Sequence, residues 1–143
     1  MKWTLVFVFA ALTTAFAVHA QSQAGARPYK VVFDLTTDDQ ADQTAVLRWL
    51  REVAAASPGS EMEVVMYARG IGLVMPERSS KIEEVKQAIG SPHVSFKVCE
   101  IAMKNQNVAK SQLLPNVMTV PDGIGEIVSK QTQGWGYIKV VAR

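Results

Sequence analysis

Val94-Ser95-Phe96-Lys97-Val98-Cys99-Glu100-Ile101-Ala102-Met103-Lys104 holds the only cysteine of the 143-residue chain and reads as one complete strand-to-helix junction. Val94, Phe96 and Val98 alternate with Ser95 and Lys97, the period-two signature of a strand. The run that follows, through Asn107, has helix-forming residues and neither proline nor glycine. Cys99 therefore falls where a strand hands over to a helix. The first helical turn leaves backbone N–H groups unpaired and carries a partial positive charge, a setting that favours a thiolate over a thiol. Lys97 and Lys104 add positive charge nearby, and Glu100 opposes it.

The same alternation of strand and helix extends in both directions from this junction. Upstream, Tyr29-Lys30-Val31-Val32-Phe33-Asp34-Leu35-Thr36 is a nearly continuous apolar run, as in a strand covered on both faces. Thr37-Asp38-Asp39 supplies capping oxygens for a helix over Ala41 to Ala56, which Ser57-Pro58-Gly59 stops. Glu61 to Ala68 reads as a second strand, with Met62, Val64 and Met66 on one side and Val65 and Tyr67 on the other. A glycine turn at Arg69-Gly70-Ile71-Gly72-Leu73 and a loop from Val74 to Ser79 come next. A second helix then opens on a Ser80–Glu83 capping box and ends at Gly90 in the C′ role.

Downstream, Val117 to Val120 is a short strand that ends in Pro121-Asp122-Gly123. Asp122 caps a helix from Gly123 to about Gln133, expected to bury Ile124, Ile127 and Val128; Gly134 closes it, and Trp135 to Val141 is the last strand. Five apolar strands alternating with four helices predict an α/β fold, a parallel sheet with helices on both faces. Residues 29–143 form one domain on this reading.

Two segments precede that domain. Lys2, the apolar run Thr4–Val18 and the small residues around Ala20 read as a signal peptide over residues 1–20, and 21–28 as a flexible lead-in. The apolar run is about 15 residues, short of the roughly 20 that span a bilayer as a helix. The expectation is an exported, periplasmic protein with no membrane association after cleavage. A net charge of +2 without any run of Lys or Arg argues against nucleic acid as a partner. A single cysteine closes no internal disulfide. In an oxidising compartment Cys99 is then buried, paired with another chain, or used.

In a parallel sheet all the strand C-termini share one edge, where ligands of open α/β sheets bind. That edge collects Asp34, Thr36, Tyr67, Arg69, Gly70, Gly72, Cys99, Asp122 and Gly123 as candidate pocket residues, with Cys99 the one strong nucleophile among them. Gly70-Ile71-Gly72 and Gly123-Ile124-Gly125 lack the third glycine of a dinucleotide fingerprint and the lysine of a phosphate loop, so they read as turn-makers and no cofactor is expected. His93, the only histidine after Ala20, has no second ligand near it in the sequence, and no metal is expected.

Lys30-Val31-Val32-Phe33, the cysteine opening the helix after the third strand, and Val120-Pro121-Asp122-Gly123-Ile124-Gly125-Glu126-Ile127 with Gln131, Gly134-Trp135 and Tyr137-Ile138-Lys139 resemble the DsrE/DsrF-like family in its exported branch. The resemblance covers about Tyr29 to Val140, and its C-terminal third is the specific part. It implies a three-layer α/β/α sandwich with a parallel five-stranded sheet, assembly into oligomers, and sulfur relay, with Cys99 carrying sulfane sulfur as a persulfide between a donor and an acceptor protein. The chain departs from exported relatives at Ile101-Ala102, where they often have Asn-Thr, and after Val140, where a proline is frequent. The contrasting expectation is a noncatalytic oligomeric binding module in which Cys99 only lines a pocket or packs in the core.

Overall fold

The computed structural model describes residues 27–142. The expected signal peptide and residues 21–26 of the lead-in lie outside them. The strands are β1 (Lys30–Leu35), β2 (Glu61–Met66), β3 (Val94–Cys99), β4 (Met118–Val120) and β5 (Gly136–Lys139). The helices are α1 (Gln40–Ala56), α2 (Ile82–Ile89), α3 (Glu100–Asn105) and α4 (Gly123–Thr132), with 3₁₀ turns at Ala68–Val74 and Lys110–Gln112. All strand pairs are parallel, in the order β4-β3-β2-β1-β5. This is the expected α/β fold.

Strand order sets the layers. β1, β2, β3 and β4 step one way across the sheet, so right-handed crossovers put α1, α2 and α3 on one face; the return from β4 to β5 carries α4 across the other. The two faces are very unequal. Val31, Phe33, Leu35, Met62, Val64, Met66, Phe96 and Val98 pack beneath α1 to α3 in one large apolar core. Under α4 the apolar cluster is Val32, Val65 and Ile127, with Tyr67 and Trp135 packed against it. Each large side chain buried in the main core stabilises the fold by about 1.5–3 kcal/mol, so most of the stability lies on that side.

Local signals explain the helix starts. Asp39 accepts hydrogen bonds from the N–H groups of Ala41 and Asp42 at 2.8 and 3.2 Å, and Asp122 from those of Ile124 and Gly125 at 3.0 and 3.2 Å. Gly134 adopts the left-handed conformation, φ +83°, that ends α4.

Four expectations need correction. Ser80 caps nothing: Lys81 is the N-cap of α2, the Ser79 hydroxyl accepts from its N–H, and the Glu83 carboxylate pairs with Lys86. Gly90 stays right-handed at φ −70°, so no left-handed turn is needed there. The glycine turn after β2 winds instead into a 3₁₀ helix through Val74, and Gly70 is required within it because a Cβ there would stand 2.1 Å from the Leu35 carbonyl oxygen. Ile124 and Val128 are exposed, 58% and 54%; α4, the single helix on that face among the described residues, turns Ile127 toward the sheet and them away. No helix among the described residues is long and apolar enough to cross a membrane.

Candidate functional site

β3 and β4 are neighbours, yet the chain leaves their ends in opposite directions, into α3 on the crowded face and into α4 on the other. Such a divergence opens a crevice beyond the strand ends, the usual ligand position in an open parallel sheet. A cavity of about 320 Å³ lies there, its wall including Cys99, Tyr67, Ala68, Ile101, Asp122 and Ile124.

Cys99 is the last residue of β3 and the N-cap of α3, with no side-chain capping bond. Its side chain is therefore not consumed by the helix end, although the residue is only 4% exposed. Gly123, the first residue of α4, packs beside it: a Cβ there would stand 3.1 Å from Cys99 Cβ, 3.3 Å from Tyr67 Cδ1 and 3.4 Å from Val65 Cγ1. The glycine is what lets α4 start against the Cys99 side chain. Asp122 spends both carboxylate oxygens on capping α4.

Tyr67 joins this cavity to a polar cluster at the ends of β1 and β5. Its hydroxyl lies 3.3 Å from Asp34 Oδ2, which also receives the Tyr137 hydroxyl at 2.7 Å; Lys139 Nζ donates to Asp34 Oδ1 at 3.2 Å and to the Thr36 hydroxyl at 2.8 Å. Asp34 is 3% exposed, so these donors replace the water it lost. Burial, then the charge of Asp34 and the bond to it, push the Tyr67 phenol up. The Tyr137 phenol is pushed up to about 12, first by its hydrogen bond to Asp34 and then by burial.

Of the residues expected at the strand-end edge, the structure thus brings Cys99, Tyr67, Asp122 and Gly123 together and links Asp34 and Thr36 to them through the Tyr67 hydroxyl. Arg69 lies apart, paired with Asp38 at 3.0 Å, and Gly70 and Gly72 are buried turn residues outside the cavity wall. Lys97 shares a strand face with Cys99, but its amino group is held by Glu63 at 3.0 Å and Glu126 at 2.7 Å. Lys104 is exposed on α3.

Sequence reasoning missed Ala102, Asn105 and Gln106, which also line the cavity. They follow Cys99 at helical three-to-four spacing, a signal that could have found them. Gln106 braces the wall, donating to the Ala68 carbonyl at 2.6 Å and accepting from Arg78 at 3.0 Å. Ala68 itself is left-handed, φ +46°, a conformation uncommon for a residue with a Cβ.

A second cavity, about 420 Å³, opens at the opposite edge of the sheet beside Glu63, Lys97, Lys130 and Trp135. Its wall holds no cysteine, and Glu63, Lys97 and Lys130 there are engaged in ion pairs.

Fold and crevice together define an open parallel α/β protein with a buried, uncapped cysteine at its strand-order crevice. No family model matches the chain, and no curated protein matches it. Among solved structures it is similar to MTH1491, a protein of unknown function from Methanobacterium thermoautotrophicum, with 30% identity and a TM-score of 0.74 over 78% of this chain and 98% of that one. The chain belongs to the same family as MTH1491.

Proposed function

We propose that the protein is a DsrE-like sulfur carrier or sulfurtransferase-like protein, exported to the periplasm, that holds sulfane sulfur on Cys99. The observation that supports this reading is the position of Cys99: it lies on the wall of the crevice between β3 and β4, at a helix start whose capping it does not perform. The Cys99 thiolate attacks the sulfane sulfur of a donor R–S–SH. A new S–S bond forms on Cys99, the donor's S–S bond breaks, and the thiolate R–S⁻ leaves with the electron pair, so no external oxidant is needed. A second thiol takes the sulfur by the same exchange in reverse. Donor and acceptor proteins and a homo-oligomeric assembly belong to this proposal.

Intact-mass analysis with and without a sulfane donor tests it. The expected result is a gain of about 32 Da on Cys99, the mass of one persulfide sulfur, reversed by reductant and absent in Cys99→Ala. A Cys99→Ala protein that still carries stoichiometric sulfur, or a wild type that never gains it, overturns the carrier. The 4% exposure of Cys99 and the exposed Ile101 and Ile124 beside the cavity favour a second reading, a noncatalytic oligomeric module that holds a small ligand or partner there.

A further inference from the structure

The seat of α4 on the sheet differs in kind from that of every other helix. Gly123 and Ile127 are its buried residues, and the rest of its inner face is ionic. Glu126 reaches Lys97 at 2.7 Å, Lys97 reaches Glu63 at 3.0 Å, Glu63 reaches Lys130 at 3.1 Å and Lys130 returns to Glu126 at 3.7 Å, which makes a ring of two carboxylates and two ammonium groups. Three of its four members keep 16–19% exposure, and Glu63 keeps 2%. Glu63 Oε1 is buried without a hydrogen-bond partner.

A buried ion ring contributes little net stability, because the desolvation of four charges offsets most of their attraction; an orphaned carboxylate oxygen subtracts further. Lifting α4 would hydrate all four charges and the orphan oxygen while exposing only the small cluster of Val32, Val65 and Ile127 with the flanking Tyr67 and Trp135. Opening α1 or the 3₁₀ turn would instead expose Val46, Leu47, Leu50, Ile71 and Leu73. Regions with few buried apolar contacts are the ones that open below the global unfolding free energy. The first residue of this same helix, Gly123, packs against the Cys99 side chain, where an added Cβ would stand 3.1 Å from Cys99 Cβ.

We propose that α4 is a hinged cover over Cys99, latched by the Glu63–Lys97–Glu126–Lys130 ring, and that its sub-global opening admits the reagent or partner that reaches the thiol. The proposal rests on Cys99 as the functional site, but its readout does not depend on sulfur. The rate at which N-ethylmaleimide alkylates Cys99 is measured by mass in the wild type, Glu63→Gln and Glu126→Gln, with circular dichroism as the check on folding. The expected result is an alkylation rate raised by about tenfold or more in the folded variants, since a weakened latch raises the open population.

Hydrogen exchange of the wild type is the second arm, and it needs no variant to fold. Amides of α4 are expected to exchange well before those of β1 to β3. Alkylation rates within about twofold of wild type in the folded variants, or α4 amides as protected as those of β2, would overturn the cover. Faster alkylation in the variants with sulfur never loaded would leave the cover standing and remove the carrier. Sulfur loading with unchanged alkylation would do the reverse.

Discussion

Gly123 and Cys99 meet across the ends of β4 and β3 so closely that a single methyl group on the glycine would lie 3.1 Å from the cysteine Cβ. The neighbours of that methyl are a cysteine, a tyrosine ring edge and a valine methyl, all partly or fully buried, so none can swing clear into water. Gly123→Ala is expected to cost about 1–3 kcal/mol, the usual range for overpacking, read as a lower denaturation midpoint at unchanged m-value.

Gly70 and Gly72 lie in the same 3₁₀ helix but should respond differently to the same change. At Gly70 a Cβ collides with the Leu35 carbonyl oxygen at 2.1 Å, a backbone atom of the central sheet, whereas at Gly72 the nearest atom is Arg78 Cβ at 3.8 Å. Gly70→Ala is expected to destabilise by more than about 3 kcal/mol and Gly72→Ala by less than about 1 kcal/mol. Paired thermal unfolding curves check this; equal melting temperatures for the two variants would contradict the close approach.

Alkaline titration reports on Asp34. A phenol with a raised pKa contributes stability that is complete below its ordinary value near 10.0 and is lost as pH rises through the folded-state value, about 12 for Tyr137. Tyrosinate absorbance near 295 nm should therefore show Tyr137 ionising about two units late, and Asp34→Asn should return it toward 10.0 by removing the charged acceptor. An unchanged titration curve in that variant would disprove the assignment.

The ion ring sets limits at both ends of the pH scale. Burial opposes the charge on Glu126, but the hydrogen bond from Lys97 and the charges of Lys97 and Lys130 outweigh it, so its pKa is lowered. That contribution is present above the ordinary carboxylate value near 4.5 and is lost as pH falls through the lower folded-state value. Burial likewise opposes the charge on Lys97, yet its bonds to Glu126 and Glu63 raise its pKa; that contribution is complete below about 10.5 and is lost as pH rises through the higher folded-state value. Lys97→Met should remove the alkaline limb, weaken the acid limb that Lys130 still supports, and cost about 2–3 kcal/mol at pH 7, less than a fully buried pair because the ring keeps some exposure. Urea denaturation from pH 3 to 11 gives both readings.

The fold was legible wherever a local rule decided the outcome. Alternation assigned Met62, Val64 and Met66 to one face and Val65 and Tyr67 to the other, as the two apolar clusters have it. Asp39 and Asp122 marked helix starts because a capping carboxylate acts within three residues of itself. The Ser80 box failed because the helix begins one residue later, with Lys81 at the N-cap, and the Ser79 hydroxyl accepts from the Lys81 N–H in the turn before it. The burial assigned to Ile124 and Val128 failed because apolar spacing names the residues of a helix that are able to face a core, not the width of core available to them.

The sequence alone determined which segments are strands and helices, where α1 and α4 begin, and that Cys99 sits where β3 becomes α3, since each of these depends on contacts a few residues long. Only the tertiary structure decided that β4 lies beside β3 and that α4 crosses the far face. Strand order is fixed by pairings distant in the chain and by the handedness of the crossovers, and no local pattern encodes either. That order turns a lone cysteine at a strand end into one wall of a crevice, with Gly123 packed against it.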